Sequence, residues 1–429
     1  MERLMQYVWQ HRLLVNSDLF TTDGRKVIIV DPGRLNTSSG PDFFNAKVYI
    51  GDQLWAGDIE IHVKASNWFG HGHHGDPAYD SVVLHVVDRD DTGVTRTNGE
   101  TIPQMVMQCA PEFHRRYATL TDPAPTETLP CAAELRDIPA IYLHDWLGAA
   151  GYERVYAKAG HAADLAARFT GDWEEAAYVL LARALGFNTN SDPMERLALS
   201  MPLRFLRKHS DSLFSIEALF FGQSGLLDDP RAADDYASRL RTEYGFLAHK
   251  FSLRPLGLPG WKRGGVRPAS LPHRRIALLA AMVAENFHLM DRVAHTENID
   301  DFIEWLRRPL TGYWADRFGF GAPGNATYET ISRQSASILA INVAVPLAVA
   351  YGTARGDEDM IARGVEWLHS LPAEKNRLTT IFGQGGLYPR DAFDAQAMIQ
   401  IRRAYCERRA CILCRIGHRL LSQRARRRY

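Results

Sequence analysis

The sequence predicts an α+β protein, with a small mixed α/β domain in front of a mostly helical one. Three observations carry that reading. Residues 1–120 alternate polar and apolar positions with a period of two, after one opening helical stretch. Residues 121–139, TDPAPTETLPCAAELRDIP, hold Pro123, Pro125, Pro130 and Pro139 and read as an extended linker. From 140 to 429 apolar residues recur at i, i+3, i+4 and i+7, the period of a helix that buries one face.

Taken in order, MERLMQYVWQHRLL at the N-terminus is an amphipathic helix. KVIIVDPG is a short apolar strand that Asp31-Pro32-Gly33 ends. AKVYIGDQLWAGDIEIHVK reads as a hairpin around Gly51-Asp52. SVVLHVVDRDD and TIPQMVMQC are two more strands, separated by the polar turn from Asp90 to Gly99. Beyond the linker, IYLHDWLGAAGYERVYAKAGHAADLAARF and WEEAAYVLLARALGF carry the helical period, which returns over 276–289, 332–352 and 391–421. A Pro/Gly/basic loop interrupts it near 252–274. FGQSGL at 221–226 and FGQGGL at 382–387 echo one another, as a duplicated unit or as two glycine-terminated helix ends would.

Composition excludes several classes. Lys plus Arg and Asp plus Glu number 50 each, so no global charge draws the chain to nucleic acid or to a membrane surface. The charge is nonetheless uneven. Residues 401–429 hold ten arginines against Glu407 alone, and Lys262, Arg263, Arg267, Arg274 and Arg275 face no acid nearby in sequence. Those five are the candidate nucleic-acid-binding residues. Apolar runs such as Ile338–Tyr351 are shorter than a membrane span, and the N-terminus has no cleavage-site pattern, so the expected location is the cytoplasm. No P-loop, GxGxxG, GxSxG or HExxH occurs, which argues against an ATPase, a dinucleotide enzyme, an α/β-hydrolase and a zincin.

The chemistry concentrates between Gly40 and Val87. Alternation along GDIEIHVK puts Ile59, Ile61 and Val63 on one face and Glu60, His62 and Lys64 on the other. Asp42 follows Gly40-Pro41 at the mouth of the preceding strand, where a hairpin can bring it beside Glu60. His71, His73 and His74 sit in the next loop, ahead of Asp80 and His85. The candidate metal ligands are therefore Asp42, Glu60, His62, His73, Asp80 and His85. Convergence of the imidazoles with Glu60 and Asp80 would select Zn²⁺ or Mn²⁺ over Mg²⁺. The competing readings are a solvated strand edge for the acids and, for His85 between Val83 and Val87, a hydrogen-bonded core residue.

Pro41-Asp42 and then Glu60-Ile61-His62, in a helix–strand–hairpin–helix–strand order, resemble the restriction-endonuclease-like, or PD-(D/E)XK, nuclease fold. The resemblance covers roughly the first 110 residues. It implies that Asp42 and Glu60 hold Mg²⁺ or Mn²⁺ ions that polarise a phosphate and activate water. It also implies a catalytic set of Asp42, Glu60, His62 and Lys64. His62 occupies the usual lysine position, and Lys64 would supply the missing cation. The whole chain is also similar to an uncharacterised bacterial family that pairs GPDFxNAK, GxIEIH and HxHxxDxxYxxVxLHVV segments with a C-terminal CxxxxCxxC.

That last motif is Cys406-x4-Cys411-x2-Cys414, with His418 four residues on. These four are the residue types of a structural Cys₃His zinc site, and three thiolates also suit an iron–sulfur cluster. The fourth ligand would be His418 or a distant residue such as Cys131. On a continuous helix, however, Cys411, Cys414 and His418 would share one face and could simply pack. The function expected from the whole is a metal-dependent nuclease or a nuclease-derived nucleic-acid-binding protein. The rivals are a zinc-dependent hydrolase of a small substrate and a non-catalytic helical interaction protein.

Overall fold

The computed structural model describes residues 1–14, 18–36, 38–109, 111–121, 128–257, 260–285, 287–321, 323–324 and 331–422. They divide into two compact units. The first joins Met1–Trp146 to Thr380–Leu387 and Ile401–Tyr429; the second holds Leu147–Thr379 and Tyr388–Gln400. Beside the expected helical domain over 140–429, this division groups the cysteine- and arginine-bearing end of the chain with the N-terminal sheet. Periodicity says which face of a helix is apolar, not which core receives it. Here Cys411 and Leu421 are buried in the core of the sheet unit.

In that unit α1 (Glu2–Gln10) buries Leu4, Met5, Val8 and Trp9 in one core with Ile59 and Ile61. The strands are β1 (Leu19–Phe20), β2 (Lys26–Asp31), β3 (Arg34–Leu35), β4 (Phe43–Ile50), β5 (Gln53–Lys64), β6 (Val82–Arg89) and β7 (Gln104–Val106). They form one seven-stranded sheet of order β1-β2-β4-β5-β6-β7, with β3 paired to β4. The β2–β4–β5 pairings are antiparallel and the β5–β6–β7 pairings parallel. The expected hairpin forms at Gly51-Asp52, where Gly51 takes φ +63°, open to glycine at little cost. As a parallel strand flanked on both sides, β6 is buried from Val82 to Val87. The short helix α2 (Asn67–Gly70) and two 3₁₀ turns, His73–Gly75 and Pro77–Tyr79, cross from β5 to β6. After β7 comes α3 (Pro111–Thr121).

A bulge in β4 decides which residues meet. Phe43 pairs with Ile59 and Ala46 with Gly57, so Phe44 and Asn45 oppose Asp58 alone. Asn45 lies in the left-handed region at φ +56°, and its N–H donates to Asp58 Oδ1 at 3.0 Å. The extra residue swaps parity. Ala46, Val48 and Ile50 point into the core, but so does Phe43. Asp42 therefore falls on the face of its cross-strand neighbour Glu60.

The connector packs more than it extends. Leu129, Leu135 and Ile138 are buried, while Pro123 and Pro125 lie outside the described residues. The helices that follow are α4 (Ala140–Arg168), α5 (Trp173–Leu185), α6 (Ser191–Ser200), α7 (Leu203–Leu206), α8 (Leu213–Gln223), α9 (Asp235–Phe251) and α10 (Pro272–Ala284). Next come α11 (Leu289–His295), α12 (Ile299–Leu306), α13 (Arg333–Asn342), α14 (Ala344–Arg355) and α15 (Glu358–Ser370). Last are α16 (Arg377–Gln384), α17 (Ala392–Gln400) and α18 (Arg415–Ser422). The stretch from α13 to α14 is long and apolar enough to cross a membrane, but it is 72% buried inside the protein and serves as core. The FGQxGL copies close α8 and α16 through Gly225 at φ +75° and Gly386 at φ +87°. Both are glycine-terminated helix ends, and they fall in different units.

Candidate metal centre

Donor atoms of three histidines gather beside β5, with Glu60 close to two of them. His62 Nε2 lies 3.3 Å from Glu60 Oε1 and 3.2 Å from His71 Nδ1. His73 Nε2 lies 3.3 Å from the same Glu60 oxygen. The ligand atoms of His62, His71 and His73 all fall within 4.8 Å of one another. His73 Nε2 is buried and makes no hydrogen bond. A tetrahedral ion with bonds of about 2.0–2.1 Å has ligand–ligand edges of about 3.3–3.4 Å. The His62–Glu60, His73–Glu60 and His62–His71 separations match those edges.

The tautomers follow from the surrounding hydrogen bonds. Gln104 donates its amide N–H groups to Asp90 Oδ1 (2.8 Å) and the Thr92 carbonyl (3.0 Å), which leaves its oxygen facing His85. His85 Nδ1–H then donates to Gln104 Oε1 at 3.2 Å, and His85 Nε2 becomes an acceptor. His62 Nδ1–H donates to it at 2.9 Å. What remains is the lone pair of His62 Nε2, aimed at Glu60, His71 and His73. An imidazole locked from behind in this way is how proteins prepare a metal ligand.

The acids are held as tightly. Asp42 N–H donates to Glu60 Oε2, and Ile61 N–H to Asp42 Oδ2, both at 3.0 Å. Gln6 of α1 donates to Asp42 Oδ1 at 2.8 Å, and Glu2, one turn earlier, reaches within 4.0 Å of His62 Nε2. Burial pushes both carboxyls above the usual range, and the Glu60 charge pushes Asp42 further. Burial also holds His62 down to about 3 and His85 to about 4. Tyr79 stacks on His73 at 3.7 Å between ring centres, and Trp68 stands edge-on to it at 5.4 Å. His71 is exposed and gives the centre its open side.

Of the expected ligands, the structure brings together Asp42, Glu60, His62 and His73, with His85 one hydrogen bond behind. Asp80 stands apart: its two oxygens accept from Thr97 N–H (3.0 Å) and Thr97 Oγ (2.6 Å), pinning a turn. Lys64 is exposed at the end of β5, where its charge acts on Asp91. The residues that sequence reasoning left out of the set are His71, Glu2, Gln6 and Gln104. The His71-x-His73 spacing was a signal for the first. Nothing in the sequence ties the other three to the site.

The basic residues expected at a nucleic-acid groove are corrected in part. Arg274 and Arg275 are 2% and 5% exposed inside the helical unit, where Arg274 donates to the carbonyls of Trp314 and Arg317. Both belong to α10, whose buried face is wider than its apolar residues imply. Arg263 pairs with Asp229, while Lys262 and Arg267 are exposed. The sheet unit holds a different cationic feature. A cleft of about 1300 Å³ is lined by Arg3, Arg409, Arg415 and Arg419, with His11, His418 and one acid, Asp145. Gln6 also lines it, so the cleft and the Asp42–Glu60 pair share a side chain.

Comparison with curated proteins and with solved structures gives no match. A family model described as "Protein of unknown function (DUF2851)" matches residues 2–377, and with nearly nine-tenths of its length covered the chain belongs to that family.

Proposed function

We propose that the sheet unit is a divalent-metal-dependent hydrolase of phosphodiesters, a nuclease acting in the cytoplasm. The observation that carries this reading is the grouping of the His62, His71 and His73 ligand atoms within 4.8 Å of one another, with Glu60 Oε1 3.3 Å from both His62 Nε2 and His73 Nε2. Three imidazoles and a carboxylate suit Zn²⁺ or Mn²⁺ better than Mg²⁺, which prefers oxygen and retained water. When bound, such an ion acidifies a coordinated water and polarises a phosphoryl oxygen. The residues around it have their own tasks. The Gln104–His85 pair orients His62, Tyr79 and Trp68 fix the His73 ring, and Gln6 and Ile61 N–H hold Asp42 beside Glu60. Exposed His71 leaves an approach for substrate.

Two further features support a phosphodiester as substrate. One is the succession of α1, antiparallel β2–β4–β5, α2 and parallel β6, which is compatible with the helix–strand–hairpin–helix–strand order on which the nuclease resemblance rests. The neighbouring cleft carries four arginines against one acid, a surface that takes a phosphate backbone. The histidine-rich shell also favours a second reading, a zinc hydrolase of a small phosphoester that does not need the cleft.

The test combines metal content with cleavage of single- and double-stranded DNA, RNA and a small phosphodiester, in Zn²⁺, Mn²⁺ and Mg²⁺. Wild type should retain a transition metal that His62→Ala and His73→Ala lose. Glu60→Gln should lower cleavage by at least about a hundredfold. Small-ester turnover without nucleic-acid cleavage would favour the second reading. Metal content unchanged in both histidine variants would sink the centre itself.

A further inference from the structure

The C-terminal cysteines do not lie on a continuous helix. A π-helical turn, Ile401–Cys406, gives way to Arg409 at φ +53°, and α18 starts only at Arg415. The chain folds back through Ala410 N–H to the Tyr405 carbonyl (2.8 Å) and Cys414 N–H to the Cys411 carbonyl (3.2 Å). Gly417 is packed so close that a Cβ there would lie 2.0 Å from the Cys411 oxygen. This tight knot gathers Cys406, Cys411 and Cys414, the arrangement that packing on one helix face does not require.

His418 is not the fourth member. Its Nδ1 meets Tyr7 Oη at 2.7 Å, and its ring lies tilted against His11 with centres 4.6 Å apart. Cys131 is in reach instead. It packs against the core cluster that holds Cys411, and buried Arg402, just ahead of Cys406, donates to the Thr128 carbonyl at 3.0 Å. Cys411 is buried, its Sγ–H directed at the Leu120 carbonyl at 3.4 Å. Cys109, the remaining thiol, is raised by burial and by Asp88 and takes no part.

We propose that Cys131, Cys406, Cys411 and Cys414 form a four-thiolate site that holds an iron–sulfur cluster, separate from the histidine centre. A single zinc ion needs sulfur–sulfur edges of about 3.8 Å, from bonds of about 2.3 Å. Among the described residues no three of these sulfurs lie within 4.8 Å of one another. A cluster, whose irons are themselves spread apart, takes thiolates at wider spacing. Each thiol gives up its proton on ligation. The cluster fastens Cys131 to the segment that carries Arg409 and Arg415, two walls of the cationic cleft.

The test is iron, acid-labile sulfide and zinc content of anaerobically purified protein, with the visible spectrum before and after reduction. Wild type should carry iron and sulfide in equal amounts, with a charge-transfer absorption that bleaches on reduction. Cys131→Ser and Cys411→Ser should lose both, while Cys109→Ser, His418→Ala and His71→Ala keep them. The His71→Ala arm separates this site from the histidine centre. Should a serine variant fail to fold, alkylation of native wild type decides: the four cysteines should be protected until iron is stripped. Zinc in place of iron, no metal, or iron that survives Cys131→Ser would overturn the proposal.

Discussion

Gln104 does not touch His62, yet it sets the tautomer of that ring. Its amide is oriented by Asp90 and Thr92, and through His85 it decides which nitrogen of His62 faces Glu60. Gln104→Leu removes that instruction, and metal affinity should fall roughly ten- to a hundredfold. Competition with a chelator measures it; an unchanged affinity would mean that the tautomer is set elsewhere. In the helical unit, Glu217 is 3% exposed and accepts on one oxygen from Tyr236 Oη (2.5 Å) and Trp314 Nε1 (3.1 Å). Burial lifts its carboxyl from 4.5 to about 7. The folded state thus binds the proton more tightly than the unfolded chain. Its contribution is complete below pH 4.5 and is lost as pH rises through 7. Glu217→Gln keeps both hydrogen bonds without the charge. It should stabilise the protein at pH 8 by on the order of 2–3 kcal/mol and leave pH 4.5 unaffected, as urea unfolding at the two pH values would show.

Among the elements, β4 and β5 matter most, because their bulge sets the face of Asp42. Gly57, opposite Ala46 at that bulge, has no room for a side chain: a Cβ would lie 2.3 Å from Val83 Cγ1 and 2.7 Å from the Ser81 carbonyl. Gly57→Ala should cost about 1–3 kcal/mol by forcing β5 and β6 apart. Gly70→Ala, where nothing lies within 4 Å, is the control. Equal urea midpoints for the two variants would show that the strands yield freely. The period-two pattern of β5 was legible, and with it the shared face of Glu60 and His62. The bulge was not legible, since one extra residue in an alternating strand leaves no trace in composition. The C-terminal helix misled for a similar reason. Its apolar spacing persists across Arg409–Cys414, although the backbone there leaves the helical region.

At the scale of the molecule, the first unit is built from three separated pieces of chain. A chain ended at Gln400 would lose Cys411 and Leu421 from the sheet core and three of the four arginines that line the cationic cleft. Its sheet unit should therefore unfold at lower temperature, while the helical unit, whose segments remain present, keeps its own transition. Differential scanning calorimetry would separate the two, and a single unshifted transition would count against this partition. The sequence by itself determined the α+β class, the Gly51-Asp52 hairpin, the shared face of Glu60 and His62, and the loop that supplies His73. These follow from local periodicity and turn chemistry, which neighbouring residues dictate. Only the tertiary structure decided that His71 lies with His62 and His73 while Asp80 does not, that Arg274 and Arg275 are interior, and that Cys131 packs against the core holding Cys411 while His418 meets Tyr7. Each of those outcomes depends on which distant segments share a core, and that is a property of packing that no local pattern carries.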